Sequence, residues 1–143
     1  MNPTGGVLRV DAGGNGHFGA LRTKTVGDKT LTYTHDGMDV TCTPGQDYRS
    51  PCTGRIARLA YPYKDDLKYR GFVIECKRAS LMIFYVVVNQ DLLGRMVHEG
   101  DVIGTCQDIS LKYPGSGVTP HWHIRVIACD PMILFGPDVI TIV

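Results

Sequence analysis

Thr119-Pro120-His121-Trp122-His123-Ile124 places two histidines two residues apart in a run that reads as a β-strand. Side chains two apart on a strand point the same way, so His121 and His123 share one face and Trp122 takes the other, where core packing is its expected role. Upstream, His35-Asp36-Gly37-Met38-Asp39 carries a His and an Asp four apart, again on one face of an extended segment. Neutral imidazole and carboxylate are both good zinc ligands. From spacing alone two readings are open. Either the two segments meet across a sheet and hold one zinc ion, three of the four groups forming an open tripod, or the histidines are a surface pair and the aspartate belongs to an unrelated turn.

The surroundings read as all-β. Seventeen glycines and eight prolines cut the 143 residues into short pieces rich in Val, Ile, Tyr, Phe and Thr, with no sustained helical period. Strands are expected at 7–10, 29–34, 37–42, 54–60, 71–76, 81–88, 102–106, 121–128 and 139–143, with room for one short helix at 107–114. The 81–88 strand is apolar on both faces and so reads as central and covered on both sides. No repeat or linker interrupts the chain, which predicts a single domain over 1–143.

Composition excludes several function classes. Hydrophobic residues make up 43% and charged residues 20%, as in a globular chain. A net charge of +1 lacks the basic excess of a phosphate-tracking surface, so nucleic acid is not the expected partner. The longest apolar run, 81–88, is far short of the roughly 20 residues of a spanning helix. The opening Met1-Asn2-Pro3-Thr4-Gly5-Gly6 has neither the basic start nor the apolar core of a signal peptide. The expectation is a protein that leaves its cell by another route. Five cysteines without a CxxC pair argue against a cysteine zinc cage and read as buried free thiols. Cys42 and Cys52, flanking the turn at Pro44-Gly45, are the pair that could face each other as a disulfide.

The order of motifs resembles the lysostaphin-type zinc endopeptidases, which cut peptide cross-links of bacterial peptidoglycan. The matching elements are Phe18-Gly19 with Arg22, His35-Asp36-Gly37-Met38-Asp39-Val40, Pro44-Gly45, Phe84-Tyr85, Glu99-Gly100-Asp101-Val102-Ile103-Gly104 and Pro120-His121-Trp122-His123. They span roughly residues 16–130. In Ala60-Tyr61-Pro62-Tyr63 and Lys112-Tyr113-Pro114-Gly115 the chain looks closest to the branch of the leukocyte cell-derived chemotaxins and similar bacterial and phage proteins.

This resemblance implies a compact antiparallel β-sheet or sandwich with long loops around a groove. It implies zinc held by His35, Asp39 and His123, His121 as general base, and Tyr85 and Tyr113 along the substrate groove. It implies peptidoglycan or its peptides as partner and, for a phage virion or lysis component, other virion proteins; export by a non-classical route is the other expected setting. Active members also carry a second, non-ligand histidine in a Tyr-x-His motif, which here reads Tyr85-Val86-Val87. With Val87 at that place the resemblance implies either an endopeptidase with an incomplete catalytic set or a zinc-stabilised binding module. Asn15, in its glycine-rich setting, is a further candidate to cap the metal in a latent form.

Overall fold

The computed structural model describes residues 1–135; the strand expected at 139–143 lies outside them. Thirteen strands run in order: β1 (Val10–Asp11), β2 (Gly14–Asn15), β3 (Leu21–Val26), β4 (Lys29–Thr34), β5 (Met38–Thr41), β6 (Asp47–Arg49), β7 (Gly54–Ala60), β8 (Gly71–Cys76), β9 (Ala79–Phe84), β10 (Val86–Val88), β11 (Met96–Val97), β12 (Val102–Cys106) and β13 (His121–Cys129). A four-residue helix, Met132–Phe135, follows. The segment with helical potential after β12 forms a single 3-10 turn, Ile109–Lys112, capped by Asp108, whose side chain accepts from the Ser110 amide. Among the described residues no helix is long and apolar enough to cross a membrane.

Two antiparallel sheets pack as a sandwich. The larger has the order β11-β7-β8-β9-β13-β5 and the smaller β10-β12-β6. Between them lies one apolar cluster: Val40, Ile56, Phe72, Ile74, Ile83, Val97 and Trp122 come from the larger sheet, and Tyr48, Val86, Val88, Ile103 and Cys106 from the smaller. Trp122 is 2% exposed and meets the Tyr48 ring edge-on at 5.2 Å. Its indole N–H donates to Thr4 Oγ1 at 3.0 Å, so the buried polar atom is satisfied. The alternation of β13 thus divides as the sequence dictates: Trp122 and Ile124 pack on the core side, which leaves His121, His123 and Arg125 for the other face.

The expected strand at 81–88 is in fact two strands in two sheets. β9 sits between β8 and β13 in the larger sheet, whereas β10 pairs with β12 in the smaller. The corner between them is Tyr85, with φ +66°. The amides of Tyr85 and Val86 both donate to the Arg70 carbonyl, at 2.8 and 3.1 Å, which is a bulge. The extra residue reverses the side-chain parity, so Ile83, Val86 and Val88 all reach the same core. Periodicity alone cannot see this because every residue in the run is apolar or aromatic.

The glycine-rich start forms a short ladder, β1 with β2, and touches the larger sheet through a bridge between Leu8 and Val40. β3 and β4 make a separate hairpin closed by Gly27-Asp28, where Gly27 at φ +64° opens the two-residue loop. All of its strand residues are exposed except the half-buried Arg22. The cysteine expectation is corrected. Cys52 is bonded to Cys76, because Cys52 precedes β7 and Gly54 of that strand pairs with Cys76. Cys42 instead lies against Cys106, their thiols hydrogen-bonded, since the turn at 43–46 is held to the end of β12 by paired backbone bonds between Gly45, Gln46 and Cys106. Cys129 is exposed.

Trp122→Ala is expected to destabilise the fold by about 3–5 kcal/mol, since it removes the ring that joins the two sheets; urea unfolding followed by circular dichroism measures this.

Candidate metal centre

The register of β5 against β13 creates the site. His123 lies directly opposite Asp39, and on its other side opposite Phe84 of β9. Directly opposed residues share a face, so the imidazole and the carboxylate are brought together by backbone pairing alone. His35 reaches them from the loop before β5. Gly37 allows that approach: a Cβ there would overlap the Ile124 carbonyl oxygen and come within 2.7 Å of His123 Cε1. The two residues before Gly37, His35 and Asp36, then reach opposite nitrogens of the His123 ring.

Three acceptor atoms converge. His35 Nε2 is 3.3 Å from Asp39 Oδ1 and 3.2 Å from His123 Nδ1, and the latter two atoms are 2.9 Å apart. A tetrahedral zinc with bonds of about 2.0–2.1 Å would set its ligand atoms about 3.3 Å from one another. The observed triangle fits that requirement closely, and its donor set of two imidazoles and one carboxylate is that of an open zinc site.

The next layer fixes which nitrogen faces inward. His35 Nδ1 donates to the His17 carbonyl at 3.0 Å, which leaves Nε2 as the lone pair. His123 Nε2 is 3.5 Å from Asp36 Oδ1, and Asp36 is itself held by Arg125 at 2.6 Å. Phe84 stacks on the His123 ring at 5.9 Å. Asp39 is divided between two tasks. Its Oδ1 faces the histidines, while Oδ2 accepts from Arg9 Nε and Nη2 at 3.2 and 3.1 Å and from Arg22 at 3.5 Å. Arg9 is 4% exposed and is also paired with Asp11 at 2.7 Å. Burial alone would push the Asp39 carboxyl up, but the His123 hydrogen bond and the surrounding imidazoles bring it down to about 2.

His121 stands beside this triangle and outside it. Its Nδ1 donates to the Thr119 carbonyl at 2.7 Å, and Nε2 lies 3.8 Å from Asp39 Oδ2. Burial lowers its pKa against the opposing pull of Asp39, which favours the neutral ring. All four residues line a cleft of about 580 Å³. Tyr85 and Tyr113 line it too, as does Tyr63; Tyr61 is exposed and Tyr69 buried elsewhere.

Several expected participants take other places. Val87 is 36% exposed on β10 and is absent from the cleft lining; the bulge presents Tyr85 instead, its ring edge-on to His121 at 5.5 Å. The Asn15 side chain is engaged by His17 and does not line the cleft, so it does not cap the site. Sequence reasoning overlooked Arg9, because a lone arginine has no spacing signal; Arg22 stood in the Phe18-Gly19 motif without an assigned role, and the structure turns it toward Asp39. The His17 carbonyl, not its ring, positions His35.

No family model matches the chain. Its sequence is 26% identical over 132 residues to mouse leukocyte cell-derived chemotaxin-2, covering 87% of this chain and 74% of that protein. The solution structure of lysostaphin superposes with a TM-score of 0.50 at 16% identity, over 68% of this chain. This chain matches 39% of the length of that one, so the likeness concerns a domain and not the whole of lysostaphin.

Arg9→Met is expected to lower zinc affinity about 10–100-fold, because it frees Asp39 Oδ2 from its partner; titration against a chromophoric chelator reads this. In metal-free protein the depressed Asp39 carboxyl contributes about 2 kcal/mol of stability. That stability is fully present above the unfolded value of 3.8 and is lost as pH falls from there to about 2. Acid unfolding of Asp39→Asn should lack this slope. The fold is that of a domain of lysostaphin, in a chain whose sequence is distantly similar to leukocyte cell-derived chemotaxin-2.

Proposed function

We propose that this domain is a zinc-dependent endopeptidase that acts on peptide cross-links of bacterial peptidoglycan. The observation that carries the reading is the 2.9–3.3 Å triangle of His35, Asp39 and His123, set in an open cleft beside a fourth, unligated histidine. Zinc held by these three residues would supply Lewis-acid polarisation of a peptide carbonyl and an activated water.

The chain's own residues supply the rest. His121 Nδ1 is committed to Thr119, so Nε2 is the atom that takes a proton from the attacking water and passes it to the leaving amine. The neutral form favoured by burial is the one a general base requires. Arg9 and Asp36 hold Asp39 and His123 in place, which preserves the triangle through turnover.

A second reading is a zinc-stabilised module that binds a wall peptide without cutting it. It is favoured by the absence of a second non-ligand histidine from the cleft lining. The setting we infer for either is a phage virion or lysis component, or an extracellular protein exported without a classical leader, with virion proteins as further partners in the first case. The Cys52–Cys76 disulfide supports a destination outside the reducing cytoplasm.

Incubation with purified peptidoglycan decides between the readings. The expected outcome is release of free amines that chelator abolishes and zinc restores, with His121→Ala reducing the rate at least ~10²-fold while zinc content stays at one per chain. Wall binding without amine release would establish the binding module instead.

A further inference from the structure

Tyr85 is, among the described residues, the one non-glycine with positive φ. A bulky side chain in that region is strained, whereas glycine would occupy the same corner without cost. The corner itself needs only the backbone: the Tyr85 and Val86 amides go to Arg70, and the Tyr85 carbonyl accepts from Gln107 at 2.9 Å. Nothing in the joining of the two sheets calls for a phenol. The phenol is directed into the cleft, edge-on to His121.

It is not alone there. Tyr63 Oη lies 3.2 Å from Tyr85 Oη and 2.7 Å from Tyr113 Oη. The three residues come from three separate segments of the chain. Each hydroxyl has one proton, and a row of three uses two protons on its two internal bonds. When the internal bonds run from Tyr113 to Tyr63 to Tyr85, the direction in which Tyr85 accepts from Tyr63, the proton left to donate outward is that of Tyr85. The Lys112 ammonium sits 4.2 Å from the Tyr63 ring centre, fixed by Asp66 at 3.1 Å, and places positive charge beside the middle member. Burial first, with the neighbouring Tyr113 and Asp39 adding to it, pushes the Tyr85 hydroxyl up to about 12, so it keeps its proton at neutral pH.

We propose that the Tyr85 hydroxyl, backed by Tyr63 and Tyr113, is an oxyanion site: it donates to the carbonyl oxygen of a bound peptide and holds the negative charge that this oxygen gains as the carbon becomes tetrahedral. The inference rests on the proposed peptidase reading and deepens it. It places a hydrogen-bond donor in a cleft where the second, non-ligand histidine of the resemblance is replaced by Val87. It also explains why a strained tyrosine stands where glycine would do. No atom is transferred to the phenol; the bond it makes is a hydrogen bond that strengthens as charge develops.

The test uses the zinc-loaded full chain, Tyr85→Phe, and Tyr61→Phe as a control outside the cleft. Two quantities are read: kcat and KM on a cross-linked peptidoglycan peptide, and affinity for a phosphinate analogue of that peptide, whose oxygens mimic the tetrahedral state, against the plain peptide. For Tyr85→Phe the expected result is a fall in kcat of about 10²-fold with KM little changed. The phosphinate should lose affinity by a similar factor while the plain peptide does not, and zinc content should match wild type. Tyr63→Phe should show a smaller fall of the same kind. Equal phosphinate affinity in wild type and Tyr85→Phe overturns the oxyanion site, whether or not wild type cleaves. So does wild type that fails to bind the phosphinate. A wild type that cleaves nothing yet loses phosphinate affinity on Tyr85→Phe keeps the tyrosine site and overturns only the peptidase reading.

Discussion

Three lone pairs aimed at one point are the constraint on which this structure depends. His35 Nε2, His123 Nδ1 and Asp39 Oδ1 approach within 3.3 Å of one another, and two of the three are acceptors because their other nitrogens face a carbonyl or a carboxylate. Two imidazole lone pairs and a carboxylate at such distances repel unless a proton or a cation lies between them. Much of the surrounding structure opposes that repulsion. The β5–β13 register presses Asp39 against His123, Phe84 covers the ring from the other side, and Gly37 lets the His35 loop come close.

Arginine supports the carboxylate from behind. Arg9 is almost fully buried, and its charge is answered by two carboxylates, Asp11 and Asp39, so it is not left unpaired in a low-dielectric setting. The N-terminal segment that delivers it is tied down along its length: Thr4 accepts from Trp122, Val7 and Thr41 exchange bonds, and the Arg9 amide donates to the Asp39 carbonyl. The same short segment thus joins the core side of β13 to the Asp39 side of β5.

How much of this was legible in the sequence depends on what kind of signal each part leaves. The alternation His121-Trp122-His123 fixed two faces of β13, and the structure divides them as read. Strands with glycine or turn residues at both ends, such as β7 and β8, were found at their true limits. The 81–88 run was misread because an all-apolar stretch carries no phase, so a parity change inside it is invisible. Placing the missing histidine at Val87 was reasonable for a regular strand, and the bulge made the neighbouring side chain the relevant one. Arg9 escaped notice because its partner is thirty residues away and only the folded chain brings them together. The Cys52–Cys76 bond follows from which strands are neighbours, a matter of topology that cysteine spacing does not encode.

The β3–β4 hairpin has a consequence of another kind. It pairs only with itself, its residues are almost all in solvent, and one cross-strand pair, Arg22 with Tyr33, reaches the cleft. One face of it carries Thr23, Thr25, Thr30, Thr32 and Thr34, none of which the core requires. Apart from Arg22, which reaches Asp39, such an element can vary in length and chemistry without disturbing the sandwich or the His-Asp-His triangle. It is where a lineage, or a designer, could reshape the mouth of the cleft while keeping the residues inside it.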